Sequence, residues 1–311
     1  MKNVWLSVAL TAVLFGAVPL SADYREFLAV PKDPTLEAQL LRAAEQSLAA
    51  YPALEAEDLA LSVIDVTDAS RMARADVRGD VNFYPASVIK LFFMVETYLQ
   101  HKENGPDVPR ALKEMIVVSD NDATAYIVDI IAGMAPAPSL EGRAFRRFLE
   151  RRRVVNRDFA KLGYDISGVI KAWSFGPFGI ERQLLGENRE NRNRLTANAT
   201  ASLMLWIARR RAVSPSASEA MMTLLSRRIS PAPTEEEGGQ VTEFIGEALP
   251  ADAKLWSKAG WTSEVRHDAA YLELPNGRKL VLVVYTRGVA ADKTLLPAIA
   301  RNVLGELGGG R

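Results

Sequence analysis

The 311-residue chain contains no cysteine. Disulfide staples, thiolate metal ligands and a cysteine nucleophile are all excluded by that one absence. Histidine is scarce as well: His101 and His267 are the whole supply. A histidine-rich zinc site is therefore not available, and no carboxylate constellation stands ready to complete a mixed one. An excess of charge of either sign is missing too, since Lys plus Arg and Asp plus Glu each number 38. Nothing global steers the chain toward nucleic acid. The locally basic run "RRFLERRR" at 146–153 has acidic neighbours and no interleaved aromatics on which bases would stack, so it reads as a solvated helix face.

Long apolar runs are lacking except at the start, where Val4 to Val18 follows Lys2 and ends in small residues before Asp23. That order and size predict a secretory leader over residues 1–22. The run is short for a bilayer, which needs about 20 apolar residues. An exported protein, periplasmic or secreted, is expected, with no stable membrane span after processing. The remaining chain is long enough for one large or two modest packed domains without staples. No coiled coil or long apolar patch can be read from it, and a monomer without cofactors is the working expectation.

What is present is a change of pattern along the chain. Residues 35–50 ("TLEAQLLRAAEQSLAA") repeat apolar positions at helical spacing. "LALSVIDVTD" (59–68) is apolar and β-branched, and with "SRMARADVRG" it predicts the first strands of an antiparallel sheet. From Ser87 to about Arg228 strand signals are few, and helices are expected over 87–101, 108–118, 122–132, 141–152, 196–211 and 216–228. Strands return at 253–260, 266–276 and 279–289, with "PNGR" as a tight turn between the last two, before a final helix over 293–307. The expected fold is thus α/β with two domains. One is discontinuous, built from 23–86 and 240–311 around an antiparallel sheet with flanking helices. The other is all-helical, 87–239, inserted into it, and a small-molecule site is expected in the cleft between them.

Three short clusters carry chemistry. In "YPASVIKLFF" (84–93), Ser87 and Lys90 are three apart, so on a helix their side chains share a face. A serine in a first helical turn also sits among free backbone N–H groups able to stabilise an oxyanion, although serine is equally a common N-cap. Lys90 lies among Ile89, Leu91, Phe92 and Phe93; burial there would lower its pKa and let it accept the serine proton. In "VVSDNDATAYIV" (117–128), Ser119 and Asn121 read either as caps or as a proton-relaying hydroxyl and a substrate-binding amide. In "WSKAGWTSEVRHDAAYLEL" (256–274), Lys258 precedes a small spacer at a strand end, and Arg266 begins the following strand. The two cations would make a carboxylate-binding pair, or merely a basic surface edge.

Taken in order, "SVIK" (87–90), "SDN" (119–121) and "KAG" (258–260) resemble the Ser-x-x-Lys, Ser-Asp-Asn and Lys-Thr-Gly elements of the serine penicillin-recognising enzymes, and within them class A β-lactamases. "RNRLTANATASLMLWI" (192–207) looks like the helix start after that family's omega loop, and "WTSEVRHDAAYLELPNGRKLVLVVYTRG" like its final hairpin. The resemblance spans about 35–305 and implies that same two-domain fold. It further implies Ser87 as acylated nucleophile, Lys90 as its activating neighbour, Ser119 as proton donor to the leaving nitrogen, and Asn121 as a substrate contact. Lys258, Thr262, Ser263 and Arg266 would hold a substrate carboxylate, beside Gly260, and the backbone N–H groups of Ser87 and Trp261 would form the oxyanion hole.

The pattern departs at one point that matters. The Glu-x-x-Leu-Asn stretch that activates the deacylating water in class A enzymes is not intact. "ERQLL" (181–185) offers Glu181 as the base but Leu185 in place of the asparagine, with Glu187 and Glu190 as rivals. The interval from Ser87 to Ser119 is also short for that family. Four readings stay open: a β-lactamase-type hydrolase working through a Ser87 acyl-enzyme; a peptidoglycan D,D-peptidase or penicillin-binding acyl transferase with slow deacylation; an esterase or amidase on another small substrate; and a non-catalytic binding domain. The corresponding partner is a small β-lactam or a peptidoglycan-like peptide.

Overall fold

The computed structural model describes residues 22–308 except 173, 175, 232, 233 and 235–238. The leader expected over residues 1–22 thus lies outside the described residues, save for Ala22. The chain opens with α1 (Tyr24–Leu28) and α2 (Pro34–Ala50), then β1 (Leu59–Asp65) and β2 (Ala73–Val77). Helices follow: α3 (Lys90–Leu99), α4 (Val108–Lys113), α5 (Asn121–Ala132), α6 (Gly142–Arg152), α7 (Val154–Lys161), α8 (Gly179–Leu185), α9 (Ala197–Ala208) and α10 (Pro215–Leu225). The remainder is β3 (Ser226–Arg227), β4 (Lys254–Trp261), β5 (Val265–Glu273), β6 (Lys279–Arg287) and α11 (Leu295–Glu306).

The six strands form one antiparallel sheet in the order β2-β1-β6-β5-β4-β3. Chain from both ends therefore builds one sheet, with the helical stretch emerging between β2 and β3. The hairpin between β5 and β6 turns at the expected Asn-Gly: Gly277 has φ 85°, a conformation that suits a residue without Cβ, and Leu274 N–H bonds Arg278 O at 2.8 Å. No helix among the described residues is long and apolar enough to cross a membrane.

Helices cover both faces of the sheet, which is why β5 and β6 are buried along nearly their whole length rather than alternately. On one face lie α2 and α11. The α2 helix starts at Asp33, whose carboxylate accepts from Thr35 N and Leu36 N at 2.8 and 2.9 Å ahead of Pro34, and it buries Leu36, Leu40, Ala43 and Ala44 along one stripe. On the other face α9 and α3 pack with the rest of the helical region, and α3 sinks Leu91, Phe92, Phe93, Met94 and Val95 into a single apolar core. Each such side chain contributes roughly 1.5–3 kcal/mol when fully buried. That burial fixes the one end of α3 on which the site depends.

Candidate active site

Ser87 does not begin an α-helix. It sits in a 3₁₀ turn, Ala86–Ile89, that leads into α3, and neither turn nor helix carries a side-chain cap, so Ser87 is not spent as one. Ala86 just before it holds φ at 46°, a left-handed conformation unfavourable for a residue with a Cβ. Two contacts hold the segment there. His267, fully buried on β5, bonds Tyr84 O through Nε2 at 2.9 Å and accepts Thr286 N–H on Nδ1 at 3.1 Å. Burial pushes its imidazole down to about 4, which keeps it neutral as that arrangement requires. Gly260 is the second: a Cβ there would stand 2.7 Å from Ser87 N and 2.8 Å from both Pro85 O and Val88 N. The strand's backbone thus lies flat against the turn, and only glycine permits the approach. Gly260→Ala should push the turn that carries Ser87 off the strand and lower stability by about 1–3 kcal/mol, the usual cost of overpacking, measurable by urea titration.

Lys90 is 1% exposed. Its Nζ donates to Ser119 O at 2.6 Å, Asn121 Oδ1 at 2.9 Å, and at 3.3 Å to both Ser119 Oγ and Asp120 O. Burial drives the amine down to about 7, with the Asp120 charge opposing. A neutral amine has two N–H donors, which the two shortest contacts occupy, and a lone pair left to take a proton. The Ser-Asp-Asn triplet is ordered for this purpose: Asp120, not its neighbours, caps α5 by accepting Ala123 N–H at 2.6 Å. Ser119, in a left-handed conformation at φ 63° after a π-helical turn (Glu114–Val118), and Asn121 are both left to face Lys90. The expected helix over 108–118 accordingly ends as α-helix at Lys113.

A cavity of about 440 Å³ opens beside these groups. Ser87, Lys90, Asn121, Trp261 and Thr262 line it, together with Ile170, Pro177 and Leu185. Among the described residues its lining contains four basic side chains, Lys90, Lys171, Arg189 and Arg192, and no carboxylate. Arg192 lies 3.6 Å over the Tyr84 ring and pairs with Glu264 at 3.0 Å. Arg189 pairs with Glu264 at 3.8 Å.

Four expectations need correction. Lys258 is fully buried and does not line the cavity; its Nζ bonds Gln240 Oε1, Ala259 O and Ser119 Oγ at 2.6, 2.7 and 2.9 Å. It reaches the site through Ser119. Arg266 points to the opposite face of the sheet, because side chains alternate along a strand: its guanidinium bonds Ala290 O at 3.0 Å and stacks 5.1 Å over Phe244, which in turn packs on Trp261. Ser263 is exposed in the turn between β4 and β5 and lies away from the cavity lining, whereas Thr262 there accepts Glu264 N–H at 3.1 Å.

Glu181 is the fourth. It is buried in α8 against Arg152, with Lys171 Nζ 3.7 Å away, and both cations also reach Asp129, at 3.5 and 2.9 Å. Burial pushes its carboxyl up and the cations pull it back. This is a buried ion cluster holding α6 and α8 together, set behind the cavity wall, and Glu187 and Glu190 are exposed. Glu181→Gln should cost about 2 kcal/mol of stability, the scale of one lost hydrogen bond to a charged group, since Arg152 keeps Asp129 as its charged partner; urea titration with an unchanged m-value checks it.

Two supports were not legible beforehand. His267 and Gln240 carry no motif, and only three-dimensional pairing shows what they hold.

The beta-lactamase enzyme family matches residues 101–307. No curated protein matches the chain in sequence. Among solved structures, a β-lactamase from Sphaerobacter thermophilus is 20% identical, with 86% of this chain and 97% of that one covered and a TM-score of 0.61. PBP-A in an acyl-enzyme complex with penicillin G, a variant form, is 18% identical over 89% and 98%, also at 0.61. The extended-spectrum β-lactamase TLA-1 is 13% identical over 87% and 99%, at 0.63. At these identities the likeness is one of fold.

Proposed function

Because the chain belongs to the beta-lactamase enzyme family, with the fold of the penicillin-recognising serine hydrolases, we propose that it is acylated on Ser87 by a carboxylate-bearing β-lactam or a peptidoglycan-like D-alanyl peptide, and that it releases the acyl group slowly. The observation that carries this reading is the cavity lining: a serine and a lysine poised to acylate, and among the described residues no carboxylate to activate a deacylating water.

In this mechanism Ser87 Oγ attacks the amide carbonyl as neutral Lys90 takes its proton. The Ser87 and Trp261 N–H groups meet the oxyanion, and their effect is large where water is excluded. As the C–N bond breaks, Ser119 gives its proton to the departing nitrogen. Lys90, whose Nζ lies 3.3 Å from Ser119 Oγ, returns the proton it took from Ser87. The Asn121 amide N–H₂ is left for the substrate acyl amide, since its oxygen is held by Lys90. Thr262 and Arg192 take over the carboxylate contact that Lys258 and Arg266 are not placed to make. The leader-like run at 1–22 adds an exported location to the proposal, on the side of the membrane where such substrates are met.

Intact mass of the mature protein, followed after excess benzylpenicillin with the ligand assayed in parallel, tests this. A persistent single adduct on Ser87 is expected. An adduct that clears while ligand is consumed would replace slow release by β-lactamase turnover. No adduct and no consumption would overturn the reading and favour a different ester or amide substrate, or a binding role.

A further inference from the structure

Lys258 is surrounded by more positive than negative charge, and the residue that holds it is neutral. Among the described residues, the basic groups that act on it are Lys90, from the start of α3, and Arg227, from β3, and the carboxylate that does is Asp268 on β5. Asp268 is itself fully buried, accepts Ile245 N–H at 3.1 Å, and is pushed by burial up to about 7, so it is a weak counter-ion at neutral pH. The direct partner is Gln240, 1% exposed. Its amide nitrogen donates to Ile116 O and Val117 O at 3.1 and 2.7 Å, and its oxygen accepts Lys258 Nζ at 2.6 Å and Ala259 N–H at 3.1 Å. Exchanging the amide's two ends would set oxygen against two carbonyls and N–H₂ against a backbone donor, so the orientation is fixed by its neighbours.

This one side chain joins two parts of the site that the sequence keeps far apart. Ile116 and Val117 belong to the π-helical turn that ends at Ser119, and Ala259 follows Lys258 on β4. Arg227 makes a parallel tie, donating to Ile116 O at 2.8 Å and Ser257 O at 3.0 Å. Gln240 Oε1 and Ala259 O can only accept, so they occupy two N–H groups of Lys258. The third direction, 2.9 Å long, runs to Ser119 Oγ. In an ammonium it is N–H donating to the hydroxyl; in an amine it is the hydroxyl donating to nitrogen.

We propose that Gln240 is a positioning residue for the acylation reaction: it aims Lys258 at Ser119 and, as an amide, withholds the counter-charge that would hold that lysine protonated. Lys258 then accepts a hydrogen bond from the Ser119 hydroxyl in the resting site, which the hydroxyl gives up when it turns its proton to the departing nitrogen. The Ser119 oxygen is left open toward Lys90, which gives the relay one direction, from Lys90 through Ser119. Desolvation and the two neighbouring basic groups, which depress the Lys258 amine well below its usual range, act in the same sense. The inference rests on the acyl-enzyme reading above for its role, but not for its test.

The test uses full-length protein carrying ¹³C at lysine Cε, with the Lys258 resonance assigned by its loss in Lys258→Arg, and follows its titration by NMR without any substrate. In the native protein it should titrate well below an ordinary lysine. In Gln240→Glu it should move up by about one to three pH units, the effect of an adjacent opposite charge. An ordinary lysine titration in the native protein, or an unmoved one in Gln240→Glu, overturns the proposal even if penicillin acylates normally. Should Gln240→Glu fail to fold, Gln240→Met serves: it removes the acceptor without adding charge, leaving the Lys258 titration low but slowing acylation about tenfold, on the scale of one lost orienting hydrogen bond. Native acylation by Gln240→Met would also overturn it. A native protein that takes no penicillin adduct but shows both NMR results refutes the acyl-enzyme reading alone.

Discussion

Ser87→Ala should yield a folded protein that never gains a penicillin adduct in intact-mass spectra, while still binding the ligand reversibly. The expected loss is on the order of 10⁶ in the rate of amide opening, the scale on which removal of an activated serine acts. Folding should survive because the Ser87 hydroxyl caps neither its turn nor α3, so the change removes the reacting atom and no support. The residual binding isolates what Asn121, Thr262 and Arg192 contribute, since these line the cavity independently of the nucleophile. An adduct that persists in Ser87→Ala would place the nucleophile elsewhere.

Lys90→Met should slow acylation between about 100-fold and 10,000-fold, the range for loss of a positioned base, and should also change its pH dependence. With Lys90 pushed down to about 7, the native rate should rise with pH through that point as the amine loses its proton, then level off. The variant should lack this limb. Stability supplies an independent check. An unfolded lysine keeps its proton to about 10.4, whereas folded Lys90 gives it up above about 7. The unfolded state therefore binds more protons between those values, and native stability rises with pH across that window. The difference in unfolding free energy between native protein and Lys90→Met should grow in favour of the native chain from neutral to alkaline pH; a constant difference would mean Lys90 is charged in the fold.

Much of this was legible in the sequence, and the parts that were not share a cause. Helices α5 and α9 and strands β5 and β6 fell within a few residues of expectation because each has a clear end: Asp120 caps α5, Thr196 caps α9 through Ala199 N–H at 3.0 Å, and Asn276-Gly277 turns the last hairpin. Ser87, Lys90, Ser119 and Asn121 could be singled out because the spacing within each motif is local, and the structure brings Lys90 into contact with Ser119 and Asn121. Helix α7 and the short α8 were missed, since α7 is only eight residues long and α8 lies among the glycines and proline of 176–179. Lys258 and Arg266 were misassigned for a different reason: a basic side chain near a strand end does not reveal which face it leaves by or whether a buried amide waits for it. Gln240 had no local signature at all, because its four hydrogen bonds go to residues on two other segments.

Strand β6 lies between β1 and β5, with Leu59 opposite Thr286 and Arg287 opposite Val265. A ribosome making this chain therefore releases Ser87, Lys90 and Ser119 long before the strand that closes the sheet has been synthesised. Until residue 287 is free, β1 has no neighbour on that side and β5 pairs only with β4. Contacts of such sequence separation form late and slowly. The left-handed Ala86 and the turn that presents Ser87 depend on the Gly260 backbone and on His267, both borne by that late sheet. Nascent and incompletely folded chains should thus be chemically silent toward β-lactams, and covalent labelling of Ser87 would count only molecules whose two chain ends have met.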